Sequence, residues 1–241
     1  MKQGLMTGGN KMIKAIVFDI GQTLVHYPFP LNWSALYRPA FEQIAKEYGL
    51  NLKEAEYEYI GNVLAKYNTR INPREKEVSS TEIFTEILDG ILVSESYLEC
   101  IKKGFYSYFR SEAQLYPEVE KTLAEIKERK FRTGTLSDVA YGMDNIYALD
   151  DIKNIRQYID FPYTSNDTGY RKPSGKGLRM LADKMNLAVS EMIFVGDEKK
   201  DIECAHNAGV KAVLINRTGE GKDYGQEIQI TSLYDILDYL V

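Results

Sequence analysis

Four places in this 241-residue chain carry residue types that suit one another chemically: Asp19, then Ser137-Asp138, then Lys172-Pro173, then Gly196-Asp197 with Asp201. Each has an ordinary reading when taken alone. Asp19 fits a turn, Ser137 or Asp138 a helix N-cap, Lys172 a solvated loop lysine, and Gly196 a turn glycine. Yet they recur at successive strand ends or in the loop between them, and in an open α/β sheet ligands bind outside the carboxyl ends of the strands. Together they supply two or three carboxylates, one hydroxyl and one ammonium. That inventory suits phosphoryl transfer. Carboxylates repel a phosphate dianion unless a divalent cation intervenes, and Mg²⁺ prefers oxygen ligands from one or two carboxylates. The Lys172 ammonium and the Ser137 hydroxyl would stabilise nonbridging oxygens. A carboxylate can also attack phosphorus, giving an aspartyl-phosphate that water hydrolyses.

The elements that must position these residues alternate along the chain. Residues 14–18 form a short apolar run with β-branched members, read as a buried strand that ends at Asp19. Gly21 permits a tight turn there, and Pro28 and Pro30 prevent a regular element from continuing. From residue 32 to about 112 the apolar residues recur at helical spacing, giving about four helices and no strand. Beyond Pro117 the pattern predicts a helix over 118–130, strands at 131–136 and 161–164, and a helix over 176–185. A strand at 192–195 follows, then a helix over 201–208 closed by Gly209, strands at 210–215 and 228–230, and a last helix from Leu233. Alternating strands and helices imply an α/β chain with a parallel sheet covered on both faces. The all-helical stretch interrupts that core, with its two connections near 28–32 and 112–117.

Residues 17–25, Val-Phe-Asp-Ile-Gly-Gln-Thr-Leu-Val, resemble the first motif of the haloacid dehalogenase superfamily, a strand ending in Asp-x-Asp-x-Thr. Leu136-Ser137-Asp138 is similar to the second motif, and Gly169-Tyr-Arg-Lys-Pro173 to the third. The run from Phe194 through Gly196-Asp197 and Asp201 to Ala208-Gly209 is similar to the fourth, Gly-Asp-x-x-x-Asp with a downstream Ala-Gly. The matches come in the family's order. The resemblance implies a Rossmann-like core formed by residues 12–30 and 114–241, with residues 31–113 as a helical cap that closes over the site. It implies a Mg²⁺-dependent phosphatase of a small phosphorylated metabolite. Asp19 would be the nucleophile, with Ser137, Asp138 and Lys172 at the phosphoryl group. Asp19, Asp197 and the backbone carbonyl of Gly21 would hold the metal, and Asp201 would orient Lys172 or a metal-bound water.

Gly21 departs from the pattern. Most phosphatases of the family carry a second Asp there, which protonates the leaving oxygen and then activates water; general acid–base help of that kind contributes roughly 10²–10⁴-fold. The alternatives are a C–halogen hydrolase, which usually carries Tyr at that place, and a pseudo-phosphatase that only binds phosphorylated ligands. His26, seven residues past Asp19, is a candidate substitute acid, although a partly exposed loop histidine is the plainer reading. His206 reads as structural. Trp33, Arg38 and Arg70 belong to the inserted region and are candidates to meet substrate.

Composition bounds the rest. Hydrophobic residues are 44% of the chain, charged residues 27% and the net charge −5, a balance that suits a globular protein with a core. Acidic and basic residues are interspersed, which argues against a nucleic-acid partner. No apolar run approaches the roughly 20 residues a membrane helix needs. Residues 1–11 are polar and Gly-bearing, without the apolar centre of a secretory signal, and read as a flexible extension. Cys100 and Cys204 form neither a CxxC pair nor a disulfide framework, so a reducing cytoplasm is the expected compartment. The oligomeric state is left open.

Overall fold

The computed structural model describes residues 12–28 and 33–240; the extension read at 1–11 lies outside them. Its main sheet has six strands, all parallel: β1 (Ala15–Phe18), β4 (Arg132–Ser137), β5 (Phe161–Thr164), β6 (Met192–Gly196), β7 (Lys211–Ile215) and β8 (Ile228–Ile230). Two short strands, β2 (Val25–His26) and β3 (Gln114–Leu115), pair separately and antiparallel. The main order is β5-β4-β1-β6-β7-β8. Counting only its own strands, this is the 3-2-1-4-5-6 order of a dinucleotide-type sheet, whose chain direction reverses between β1 and β6.

Period-two alternation explains both faces. Ile16, Phe18, Ile193, Val195, Val213 and Ile215 enter one core cluster, which α5 (Val119–Glu128) covers with Leu123 and Ile126. Ala15, Val17, Met192, Phe194, Ala212 and Leu214 enter the other, under α8 (Lys176–Lys184) and α9 (Lys199–Ala208). Strands buried on both faces read as unbroken apolar runs. That is why the strand expectations held to within a residue or two.

The inserted region is four helices: α1 (Tyr37–Tyr48), α2 (Glu54–Tyr67), α3 (Ser80–Gly90) and α4 (Leu98–Arg110). They enclose their own cluster of Phe41, Ile44, Ile60, Leu64, Phe84 and Phe105, which also takes in Val139, Tyr141 and Met143 from the segment after β4. Two short helices, α6 (Asn145–Ala148) and α7 (Ser165–Thr168), complete the core. Among the described residues, no helix is long and apolar enough to cross a membrane.

Three features differ from the sequence reading. The β2–β3 pair lies where the chain enters and leaves the inserted region, and two-residue strands carry no periodic signal. Residues Asp150–Tyr158 form a 3₁₀ helix where no element was expected. The last helix, Leu233–Tyr239, is also 3₁₀ rather than α. Its buried Leu233, Ile236 and Leu237, with Leu240 just past its end, fall at i, i+3, i+4 and i+7, the apolar spacing that reads as an ordinary helix in the sequence.

The connection between α2 and α3 is strapped to the core loop at 169–171. Lys76 bridges Tyr170, Glu77 N donates to Gly169 O (3.1 Å), and Arg171 N donates to Glu75 O (2.8 Å). Glu77 is buried under this strap, where its carboxylate pairs with Arg171 and accepts from Ser165 Oγ (2.5 Å). Glu77→Gln should lower the unfolding free energy by about 1.5–3 kcal/mol, because hydrogen bonds to a charged group are worth roughly that much. Chemical denaturation measures it; a midpoint equal to that of the native protein would show that the pair adds nothing.

Candidate active site

Asp19 directly follows β1, and its N–H donates to Val195 O of β6 (2.8 Å), which fixes the residue at the point where strand order reverses. The chain then turns tightly through residues 20–25, with Gln22 at φ 54° and both Leu24 and Val25 donating to Ile20 O. This turn buries Thr23, whose hydroxyl donates to Asp197 Oδ1 (3.3 Å). Asp197 follows β6 on the neighbouring strand. Gly196 must lack a side chain: a Cβ there would lie 2.4 Å from the Asp201 carboxyl carbon. Asp201, in the first turn of α9, accepts from Glu198 N (2.9 Å) and is fully buried.

Lys172 closes the arrangement. Its ammonium lies 2.8 Å from Asp19 Oδ1 and 2.6 Å from Asp201 Oδ1, with almost no exposure. Its backbone N–H donates to Asp138 Oδ1 (3.0 Å), while Asp138 Oδ2 faces Arg171 and Lys200, each at 3.6 Å. Ser137, at the end of β4, lines the same cavity as Asp19, Gly21, Asp138, Lys172 and Asp197. Asp19, Gly21, Ser137, Asp138, Lys172 and Asp197, all given a role at the phosphoryl group or the metal, therefore line one cavity, and Asp201 stands behind it on Lys172.

The site is short of positive charge. Carboxylate oxygens of Asp19, Asp197 and Asp201 lie within 4.8 Å of one another, with one ammonium among them. Burial raises the Asp19 carboxyl to about 6 against the pull of Lys172. Burial, then the charges of Asp19 and Asp201, raises Asp197 to about 8. For Lys172, burial alone would act downward, but Asp19 and Asp201 hold it well above the usual lysine range. A hard divalent cation fits this donor set, which is all oxygen, two of its carboxylates being oriented toward each other across the strand switch. Asp201 is fully buried behind Lys172, whereas Asp19 and Asp197 line the cavity, so these two are the carboxylates available to such an ion.

Sequence reasoning undervalued several neighbours. Trp33 and Arg70, candidates without a distinguishing signal, line the cavity. Arg38 does not; it is bound to Glu42 and Glu54 on the surface. His26 is exposed and hydrogen-bonded to Gln22 Oε1 (3.1 Å), and His206 faces Glu227 (3.4 Å); neither lines the cavity. Arg171 and Lys200 were not singled out, because a cation beside a motif looks like any surface cation until the fold turns it inward.

The strand order and the carboxylates at its reversal point define a class of α/β hydrolase with its site at a sheet switch. Residues 16–215 match the family described as haloacid dehalogenase-like hydrolase, and the chain belongs to that family. It is 26% identical over 232 residues to a phosphoglycolate phosphatase of Shigella dysenteriae, covering 91% of this chain and 86% of that protein. It is 25% identical to the ribulose-1,5-bisphosphate 5-phosphatase of Halopiger xanaduensis, covering 87% of each. Among solved structures, the 2-haloacid dehalogenase of Pseudomonas syringae pv. Tomato superposes with a TM-score of 0.70 at 20% identity, over 95% of this chain and 98% of that one. That last likeness is one of fold.

Proposed function

We propose that this chain is a Mg²⁺-dependent phosphatase of small phosphorylated metabolites that works through an aspartyl-phosphate on Asp19. The observation that carries the reading is the contact of Lys172 with both Asp19 and Asp201, beside Asp197, at the strand switch. In the first step an Asp19 carboxylate oxygen attacks phosphorus, the bond from phosphorus to the ester oxygen breaks, and that oxygen leaves largely as the anion and takes its proton from solvent. In the second, water attacks the same phosphorus and returns the Asp19 carboxylate with inorganic phosphate. Lys172 and Ser137 hold the nonbridging oxygens, and Asp138 fixes the Lys172 backbone. Asp201 keeps the ammonium in place. Asp19, Asp197 and the Gly21 carbonyl would hold Mg²⁺, which when bound neutralises the carboxylates and the phosphate dianion. Residues 31–113 serve as a cap whose α2–α3 connection walls the cavity with Thr69 and Arg70. The phosphatase names of the sequence relatives support the same reading.

The test is phosphate release from a panel of phosphorylated metabolites, with Mg²⁺ and with excess chelator. Turnover should vanish in chelator and return with added Mg²⁺, and Asp197→Ala should lower turnover and metal response together. Undiminished phosphate release in chelator would remove the metal from this reading, and no release from any ester, with halide released from a 2-haloacid, would replace it with C–halogen hydrolysis.

A further inference from the structure

One wall of the cavity is used by none of the roles above. Arg70, from the α2–α3 connection, and Lys200, in the first turn of α9, line the cavity together with Asp19 and Asp197. Glu198 holds both: Arg70 Nη2 lies 2.6 Å from Oε1, and Lys200 Nζ 3.0 Å from Oε2. Among the described residues this is the one hydrogen bond of the Arg70 guanidinium, whose side chain is 44% exposed. A second opening of about 760 Å³ adjoins the first, and Arg70, Arg171, Glu198 and Lys200 line both. Besides Lys172, six arginine and lysine side chains line that opening, against three carboxylates, Glu75, Asp138 and Glu198.

We propose that this wall is an anion subsite: the substrate is a phosphate monoester whose organic part carries a second anionic group, a carboxylate or another phosphate, received by Arg70 and Lys200. The inference rests on the phosphatase reading above. Asp19 and Lys172 engage the phosphoryl group that reacts, so the second cluster of cations is left for the rest of the molecule. A guanidinium matches a carboxylate or phosphate edge with two parallel hydrogen bonds. Glu198 occupies that edge in the structure and keeps the two cations together beside the cavity. Partly exposed ion pairs are weak, so a substrate anion that brings its own binding energy can take the place of Glu198. A neutral monoester has nothing to offer in exchange. Trp33, Tyr67 and Tyr141 also line the cavity and give it aromatic surface for the body of such an ester.

Two aryl phosphates of nearly equal shape test this: 3-carboxyphenyl phosphate and its neutral amide, 3-carbamoylphenyl phosphate. Their affinities are measured by calorimetry with Mg²⁺ on Asp19→Asn protein, which cannot turn them over. The carboxylate should bind at least tenfold more tightly. In the same background Arg70→Met should bring the ratio below threefold, and Arg70→Lys should keep part of it. A ratio near one, no detectable binding of either ester, or a ratio indifferent to Arg70→Met would overturn the subsite. Turnover by the native protein separates the two readings. Phosphate release from both esters with an affinity ratio near one removes the subsite and leaves the phosphatase. A tenfold ratio with no phosphate release keeps the subsite and removes the phosphatase.

Discussion

Asp19→Asn is expected to abolish phosphate release, lowering kcat on the order of 10⁶-fold, the size of loss found when a hydrolase is deprived of its nucleophile. An amide oxygen attacks phosphorus poorly and cannot form the aspartyl-phosphate. The fold should not suffer. Asn is nearly isosteric with Asp, and the three carboxylates gathered around Lys172 outnumber that one ammonium, with burial already raising the Asp19 carboxyl to about 6. Removing that charge relieves a desolvation cost, and Lys172 keeps Asp201 as partner at 2.6 Å. The thermal midpoint should therefore stay level or rise while turnover disappears. Lys172→Met makes the informative contrast. It would leave Asp19 and Asp201 buried without their shared cation, so activity and stability should fall together. Phosphate release and thermal unfolding on the three proteins decide the matter. Turnover by Asp19→Asn within tenfold of the native rate, with contaminating phosphatase removed, would take the nucleophile's role from Asp19.

The sequence exposed the frame of the candidate site because each part of that frame is local. Asp19, Ser137, Lys172 and Asp197 each sit at a strand end or in a loop beside one, and the strands are legible since both of their faces are buried. The inserted helices were equally legible, because each has one apolar face and the spacing of Phe41, Ile44 and Ala45, or of Ile83, Ile87 and Leu88, repeats it. What could not be read is long-range. Glu77 meets Arg171 across 94 residues and Arg70 meets Glu198 across 128. No pattern around either member announces the other; each is a charged residue in a polar loop until the fold joins them. The β2–β3 pair escaped for another reason: two residues are too few to show a period. Asp138 lines the cavity as its place beside Ser137 implies, while its contacts, the Lys172 backbone and two cations, depend on a loop 34 residues away that no local pattern announces.

Gly21→Asp should raise turnover of simple alkyl phosphates by roughly 10²–10⁴-fold, the usual worth of general acid–base assistance. The native protein has no carboxyl group two residues past Asp19, so on the proposed mechanism the leaving oxygen would depart largely unprotonated. Its kcat/KM should then depend steeply on leaving-group pKa: aryl, acyl and anomeric sugar phosphates should turn over, and alkyl phosphates should be slow. The missing share of the barrier is about 3–5 kcal/mol at 1.36 kcal/mol per tenfold. The loop can take the side chain. A Cβ on Gly21 would find the Tyr27 ring at 3.7 and 3.9 Å, ordinary contact distances, and Gly21 is not among the positive-φ glycines. The Tyr27 ring that borders this position is held in place by its hydroxyl, which donates to Asp151 (2.6 Å), itself held by Arg110. His26 does not fill the vacancy, because it is exposed and bound to Gln22. The measurement is kcat/KM across a series of leaving groups for the native protein and for Gly21→Asp. The slope against leaving-group pKa should be steep in the first and shallow in the second. A flat native slope would mean that another donor in the cavity already protonates the leaving oxygen, and the argument from Gly21 would fall.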